Sequence, residues 1–141
     1  MDHRQRRFSD PIGQLPMAPI LIVDDDPMIR QIIAQALAEE GFPVESASDG
    51  LDALNRITVR RPAMVLLDMS LPLMDGFDFA AALHETYCDS VPIVVVTANG
   101  HAADDARQVG ACGYLDKPFD LERLVATVWQ ALATRGSHRH A

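Results

Sequence analysis

The chain is poor in cysteine, in basic residues and in long apolar runs. Only Cys88 and Cys112 are present, and they form no CxxC pair. The expectation is two small buried or half-buried thiols, not a disulfide or a zinc site. No apolar run reaches about 18 residues, which excludes a membrane-spanning helix of the usual kind. The positive start, Met1 to Arg7, is not followed by an apolar stretch, which argues against a secretory signal. A cytoplasmic location is therefore expected. Lys and Arg number 12 against 20 Asp and Glu, for a net charge of −8. Phosphate binding rests on Lys and Arg, so a general nucleic-acid binder is disfavoured. What is present is a globular balance, 48% hydrophobic and 23% charged over 141 residues, enough for one domain and little more.

Residues 1–18 hold three Arg and two Asp, so the acidic excess lies wholly in the rest of the chain. With its prolines and weak periodicity this stretch reads as a flexible arm. From Ile20 two textures alternate. Near-continuous apolar runs at Ile20–Val23, Ala63–Leu67 and Ile93–Val96 suit strands buried on both faces. Val44–Ala47 and Gly113–Leu115 are weaker strands. Between them, Ile29, Ile32, Ile33, Ala36 and Leu37 recur at helical spacing, with Asp26 as cap, Pro27 at the first position and Gly41 as the stop. Further helices are expected at Gly50–Val59, Gly76–Thr86 and, more weakly, Ala102–Val109. The last carries Leu121, Leu124, Val125, Val128, Trp129 and Leu132 behind an Asp120 cap. This five-fold β-α alternation predicts an α/β fold, a parallel sheet with helices on both faces. The domain is expected over 19–135, followed by a disordered tail at 136–141.

Sites in such sheets lie at the carboxyl ends of the strands. Strand one ends in Asp24, Asp25 and Asp26, strand three in Asp68, strand four in Thr97, and strand five in Asp116, Lys117 and Pro118. Clustered carboxylates repel unless a cation sits among them. An all-oxygen set of one or two carboxylates suits Mg²⁺. A lysine beside them adds a site for an anion, and a phosphoryl group fits: metal and lysine neutralise its oxygens, and a hydroxyl donates to it. One carboxylate can then act as the nucleophile.

The segments Ile20–Asp26, Val65–Asp68, Leu71–Gly76, Val94–Ala98 and Gly113–Phe119 together resemble the receiver domain of two-component response regulators. The resemblance implies a flavodoxin-like, doubly wound (βα)5 fold with strand order 2-1-3-4-5. It implies that Asp68 is phosphorylated by a sensor histidine kinase or a histidine phosphotransfer protein. Asp25, Asp68 and the Ser70 backbone carbonyl then bind Mg²⁺ directly, and Asp24 acts mainly through water. Lys117, before a cis proline, pairs with the phosphoryl oxygens. Thr97 hydrogen-bonds the phosphoryl group, and Tyr114 is its switch partner. Ser70 and Asn99 tune hydrolysis. The output is a changed surface of helix four, strand five and helix five that binds a downstream protein, as a monomer or a phosphorylation-induced dimer.

Other residues carry plainer readings. Asp26 is a helix cap, and Asp75 with Gly76 a turn and helix start. His84 and Cys88 are too few for a metal site. His101 is a surface residue, and His138 and His140 lie in the tail. Asp116 points away from Lys117 by strand alternation. The short chain leads to the expectation of a stand-alone switch, a phosphoacceptor and not an enzyme, with no nucleic-acid or membrane partner; Arg4, Arg6 and Arg7 weigh little against the net charge. A haloacid-dehalogenase-type phosphatase would need a second Asp where Ser70 stands. A phosphorylation-independent binding module would be favoured only if Asp68 or Lys117 were missing.

Overall fold

The computed structural model describes residues 18–140, with side chains described through residue 133. Five strands form one parallel sheet: β1 (Ile20–Val23), β2 (Val44–Ala47), β3 (Met64–Asp68), β4 (Ile93–Thr97) and β5 (Gly113–Asp116), in the order β2-β1-β3-β4-β5. Five helices alternate with them: α1 (Pro27–Glu39), α2 (Gly50–Val59), α3 (Gly76–Tyr87), α4 (Ala102–Val109) and α5 (Leu121–His140). The order reverses beside β1, and the crevice outside the strand ends there is the favoured site of an open α/β sheet.

The apolar runs are explained by two cores. Alternate residues of each strand point to opposite faces. Leu21, Val23, Val65, Leu67, Ile93 and Val95 pack with Ala53 and Ile57 of α2, Phe79 and Leu83 of α3 and Ala106 of α4. Ile20, Ile22, Met64, Leu66, Val94 and Val96 meet Ile33 and Leu37 of α1 and Leu124 and Val128 of α5. Trp129 rests on Phe42, ring centroids 4.7 Å apart, at the edge of this second core.

The helix starts follow their caps. Asp26 accepts from the backbone N–H groups of Met28 and Ile29, Asp75 from Asp78, and Asp120 from Arg123. Gly41, with φ 99°, turns the chain after α1. At Gly76 an added Cβ would lie 2.7 Å from the Met69 Cα, so α3 starts in direct contact with the residue after Asp68.

Several boundaries differ from expectation. β3 runs from Met64 to Asp68, not from Ala63 to Leu67, and β4 and β5 include Thr97 and Asp116. Strand pairing uses backbone groups, so the ladder continues through polar residues that end an apolar run: Asp68 pairs with Val96 and Thr97 with Asp116. α3 ends at Tyr87, one residue later than Thr86. α5 continues to His140, so the tail expected from residue 136 is helical up to that point. A lone Gly136 with no following proline costs a helix only about 1 kcal/mol. Cys88 and Cys112 are exposed, not buried. Cys88 ends α3 at φ 54° and Cys112 lies in the turn before β5, places that carry no core stripe. Residues 1–17, nearly all of the expected arm, and residue 141 fall outside the described residues, as do the side chains of His138 and His140. Among the described residues no helix is long and apolar enough to cross a membrane.

Candidate functional site

Each strand delivers its last residue to the same edge of the sheet. Asp24 follows β1 and is 2% exposed; its backbone N–H still bonds to the Ala47 carbonyl of β2, which holds the turn against the sheet. Its Oδ1 accepts the Asp26 N–H at 2.9 Å. Arg30, one turn into α1, donates to the Asp24 backbone carbonyl at 2.6 Å and ties the helix to the site. Asp68 ends β3, is 5% exposed, and accepts the Ser70 N–H on Oδ1 at 3.0 Å. Asp25 is exposed at the mouth. Carboxylate oxygens of Asp24, Asp25 and Asp68 all lie within 4.8 Å of one another.

Lys117 is the chain's only lysine, and it reaches into this cluster. Its Nζ lies 2.8 Å from Asp24 Oδ2 and 3.4 Å from Asp68 Oδ2. The bond to Pro118 is cis, and the Lys117 N–H donates to the Thr97 carbonyl at 2.8 Å, so β4 and β5 jointly aim the amine. Burial is the largest influence on Lys117 and acts to lower its pKa. The hydrogen bond to Asp24 and the charges of Asp68 and Asp24 outweigh it and hold the amine above its ordinary 10.5. Asp68 is pushed above its ordinary 3.8, first by burial and also by the Asp24 charge, against the opposing Ser70 N–H and Lys117. Thus one ammonium bridges two carboxylates of a cluster of three. That excess of hard oxygen donors is the chemistry Mg²⁺ takes, and the residues present fit it.

Thr97 is fully buried at the end of β4, and its Oγ1 receives the Asn99 N–H at 3.4 Å. Asn99 lies in the loop beyond, with its amide bonded to Asp105 Oδ2 at 3.3 Å and to the His101 N–H at 2.7 Å. Tyr114 on β5 is 43% exposed, its ring turned outward. The structure therefore brings Asp24, Asp25, Asp68 and Lys117 into direct contact or near-contact, with Ser70 joined to Asp68 by its backbone N–H. Tyr114 stands apart on the surface. His84, on the exposed face of α3, pairs with Asp89 just past the helix end, and His101 is exposed.

Two residues of the site escape sequence reasoning. Arg30 acts through a backbone carbonyl six positions away, which leaves no motif. Asp105 is buried on a helix whose aspartates look like a solvated face.

The family model described as response regulator receiver domain matches residues 20–129. A response regulator MprA from Mycobacterium sp. (strain KMS) is 40% identical over 120 residues, covering 84% of this chain and 51% of the relative. The chain thus spans about half the length of the curated relatives it matches. The chemotaxis response regulator CheY4 of Vibrio cholerae superposes with a TM-score of 0.75 at 34% identity, over 82% of this chain and 99% of that one. NtrX from Brucella abortus gives 0.81 at 32% identity, over 87% of this chain and 28% of that one. Five parallel strands in this order, a lysine-bridged aspartate cluster at their ends and a family match across both place the chain in the response regulator receiver domain family.

Proposed function

We propose that Asp68 accepts a phosphoryl group from the phosphohistidine of a sensor histidine kinase or histidine phosphotransfer protein. The observation that carries this is the Lys117 ammonium held between Asp24 and Asp68, at 2.8 and 3.4 Å, beside a third carboxylate. Phosphorylation on an aspartate is general for the family.

An Asp68 carboxylate oxygen attacks phosphorus in line. The new O–P bond forms as the donor's P–N bond breaks, and the electron pair leaves with the imidazole nitrogen. Asp25, Asp68 and the Ser70 carbonyl would hold Mg²⁺, with Asp24 acting through water; when bound, the ion offsets the charge that gathers on the phosphoryl oxygens. Lys117, held protonated, exchanges its contact with Asp68 Oδ2 for one with a phosphoryl oxygen. Asp24 keeps the amine aimed throughout. Ser70 continues to orient Asp68 through its N–H.

The acyl phosphate adds about −1.5 to −2 charges at the end of β3. Thr97 donates its hydroxyl to the new oxygens and moves toward them. The outward Tyr114 ring turns into the space Thr97 leaves, and the α4–β5–α5 face changes shape. This is a population shift between two states, biased by a local charge. The changed face is read by a separate downstream protein or by a second copy of the chain. The domain works in the cytoplasm, as a phosphoacceptor with slow self-dephosphorylation.

The test is incubation with acetyl phosphate and Mg²⁺, read by intact mass. One added phosphoryl group is expected, abolished by Asp68→Asn and by EDTA. Addition that survives Asp68→Asn would sink the assignment.

A further inference from the structure

Asp105 is a buried carboxylate that the chemistry above leaves unused. It lies on α4 and is 6% exposed. Carboxylates are rarely this buried unless they are paired or hydrogen-bonded. Its Oδ2 accepts from Asn99 Nδ2 at 3.3 Å. The other end of the same amide is also committed, since Asn99 Oδ1 accepts the His101 N–H at 2.7 Å. Meanwhile the Asn99 backbone N–H faces Thr97 Oγ1 at 3.4 Å. One residue therefore links the β4 hydroxyl at the site to a buried acid on α4. Asp105 Oδ2 takes the Nδ2 end of Asn99 and the His101 N–H takes the Oδ1 end, which together fix which way round the amide sits.

We infer that Asp105 is a positioning residue that sets the lifetime of the phosphorylated state by holding the Asn99 amide in the β4–α4 loop. The inference rests on the reading of Asp68 as the acceptor. Hydrolysis requires water to bond to phosphorus as the Asp68 O–P bond breaks. The electron pair returns to the carboxylate, and the water's proton leaves with inorganic phosphate or solvent. Free of Asp105, the Asn99 Nδ2 donors can orient such a water, while Oδ1 stays on the His101 N–H. Bound to Asp105, Nδ2 is withheld.

The experiment loads the full chain with acetyl phosphate and Mg²⁺, removes the donor, and follows loss of the phosphoryl group by intact mass. Asp105→Ala is expected to speed hydrolysis about threefold or more, the factor one modest hydrogen bond is worth in a rate. Asp105→Asn keeps an oxygen that can accept from Asn99 and should stay within about twofold of the parent. In an Asn99→Ala background, Asp105→Ala should add nothing. If the alanine variant does not fold, Asp105→Leu fills the buried volume and serves the same arm. A merely structural role would lower the urea midpoint while hydrolysis stayed unchanged, or changed equally with and without Asn99; either result overturns the inference. Should the parent protein take no phosphoryl group on Asp68, the underlying reading fails first. Should it load normally and hydrolyse independently of Asp105, the inference alone fails.

Discussion

Replacing Lys117 with methionine removes the ammonium from the aspartate cluster while keeping an apolar stem of similar length. Removing one partner of a buried ion pair costs about 3–5 kcal/mol when the other charge is left bare. Here neither carboxylate is bare. Asp24 keeps the Asp26 N–H at 2.9 Å and Asp68 keeps the Ser70 N–H at 3.0 Å, so the loss should be nearer ~2 kcal/mol. Its pH dependence follows from the shifts. Lys117 sits above its ordinary 10.5, so its contribution is full below that value and is lost as pH rises through the raised one. Asp68 sits above its ordinary 3.8, so its charged form costs stability; the cost is absent below that value and complete above the raised one. Without the lysine Asp68 rises further, so the deficit of the variant should be greatest near neutrality and shrink toward about pH 4. Metal should reverse part of it. A ligand at about 100 times its Kd stabilises by ~2.7 kcal/mol, and Mg²⁺ should add more to the variant than to the parent because no ammonium competes for the same oxygens. The assay is urea unfolding at neutral and acid pH, in EDTA and in Mg²⁺. A loss below about 0.5 kcal/mol in EDTA at neutral pH, or equal Mg²⁺ increments in the two proteins, would refute the reasoning.

Asp68→Asn should stabilise the metal-free protein at neutral pH by about 0.5–2 kcal/mol and have little effect near pH 4, where Asp68 is already becoming neutral; urea midpoints at the two values check this. Asp26→Ala should cost about 1 kcal/mol through loss of the α1 cap, yet leave acetyl-phosphate loading intact, because it is the Asp26 backbone N–H that serves Asp24. Loading that fails in this variant would place Asp26 in the site. Gly76→Ala should destabilise by about 1–3 kcal/mol, since its Cβ would meet Met69 Cα at 2.7 Å; an unchanged thermal midpoint would show that β3 and α3 can part without cost.

Which parts of this protein the sequence determined depends on the range of the cause. A strand buried on both faces must be apolar throughout, so β1, β3 and β4 stand out as runs, and the polar residues that close them mark the functional edge. Helix caps are equally local: Asp26, Asp75 and Asp120 each serve an N–H two or three residues on. The five motifs, gathered at the ends of β1, β3, β4 and β5, therefore disclosed both the sheet and the aspartate–lysine site. Pairings across distant segments left no such trace. Lys117 lies 93 positions from Asp24, yet sits closer to it than to Asp68. Arg30 reaches a carbonyl, a group every residue carries. Asp104 and Asp105 are adjacent acids on one helix, but Asp104 pairs with Arg107 at the surface and Asp105 turns inward to Asn99. A helix advances about 100° per residue, and only the packing of α4 against the sheet decides which of two neighbouring acids faces in. Composition and local spacing thus settled the layers of the fold and the chemical type of its site. The tertiary structure alone decided which charge pairs with which, because burial and distance between remote residues are properties of the packed chain.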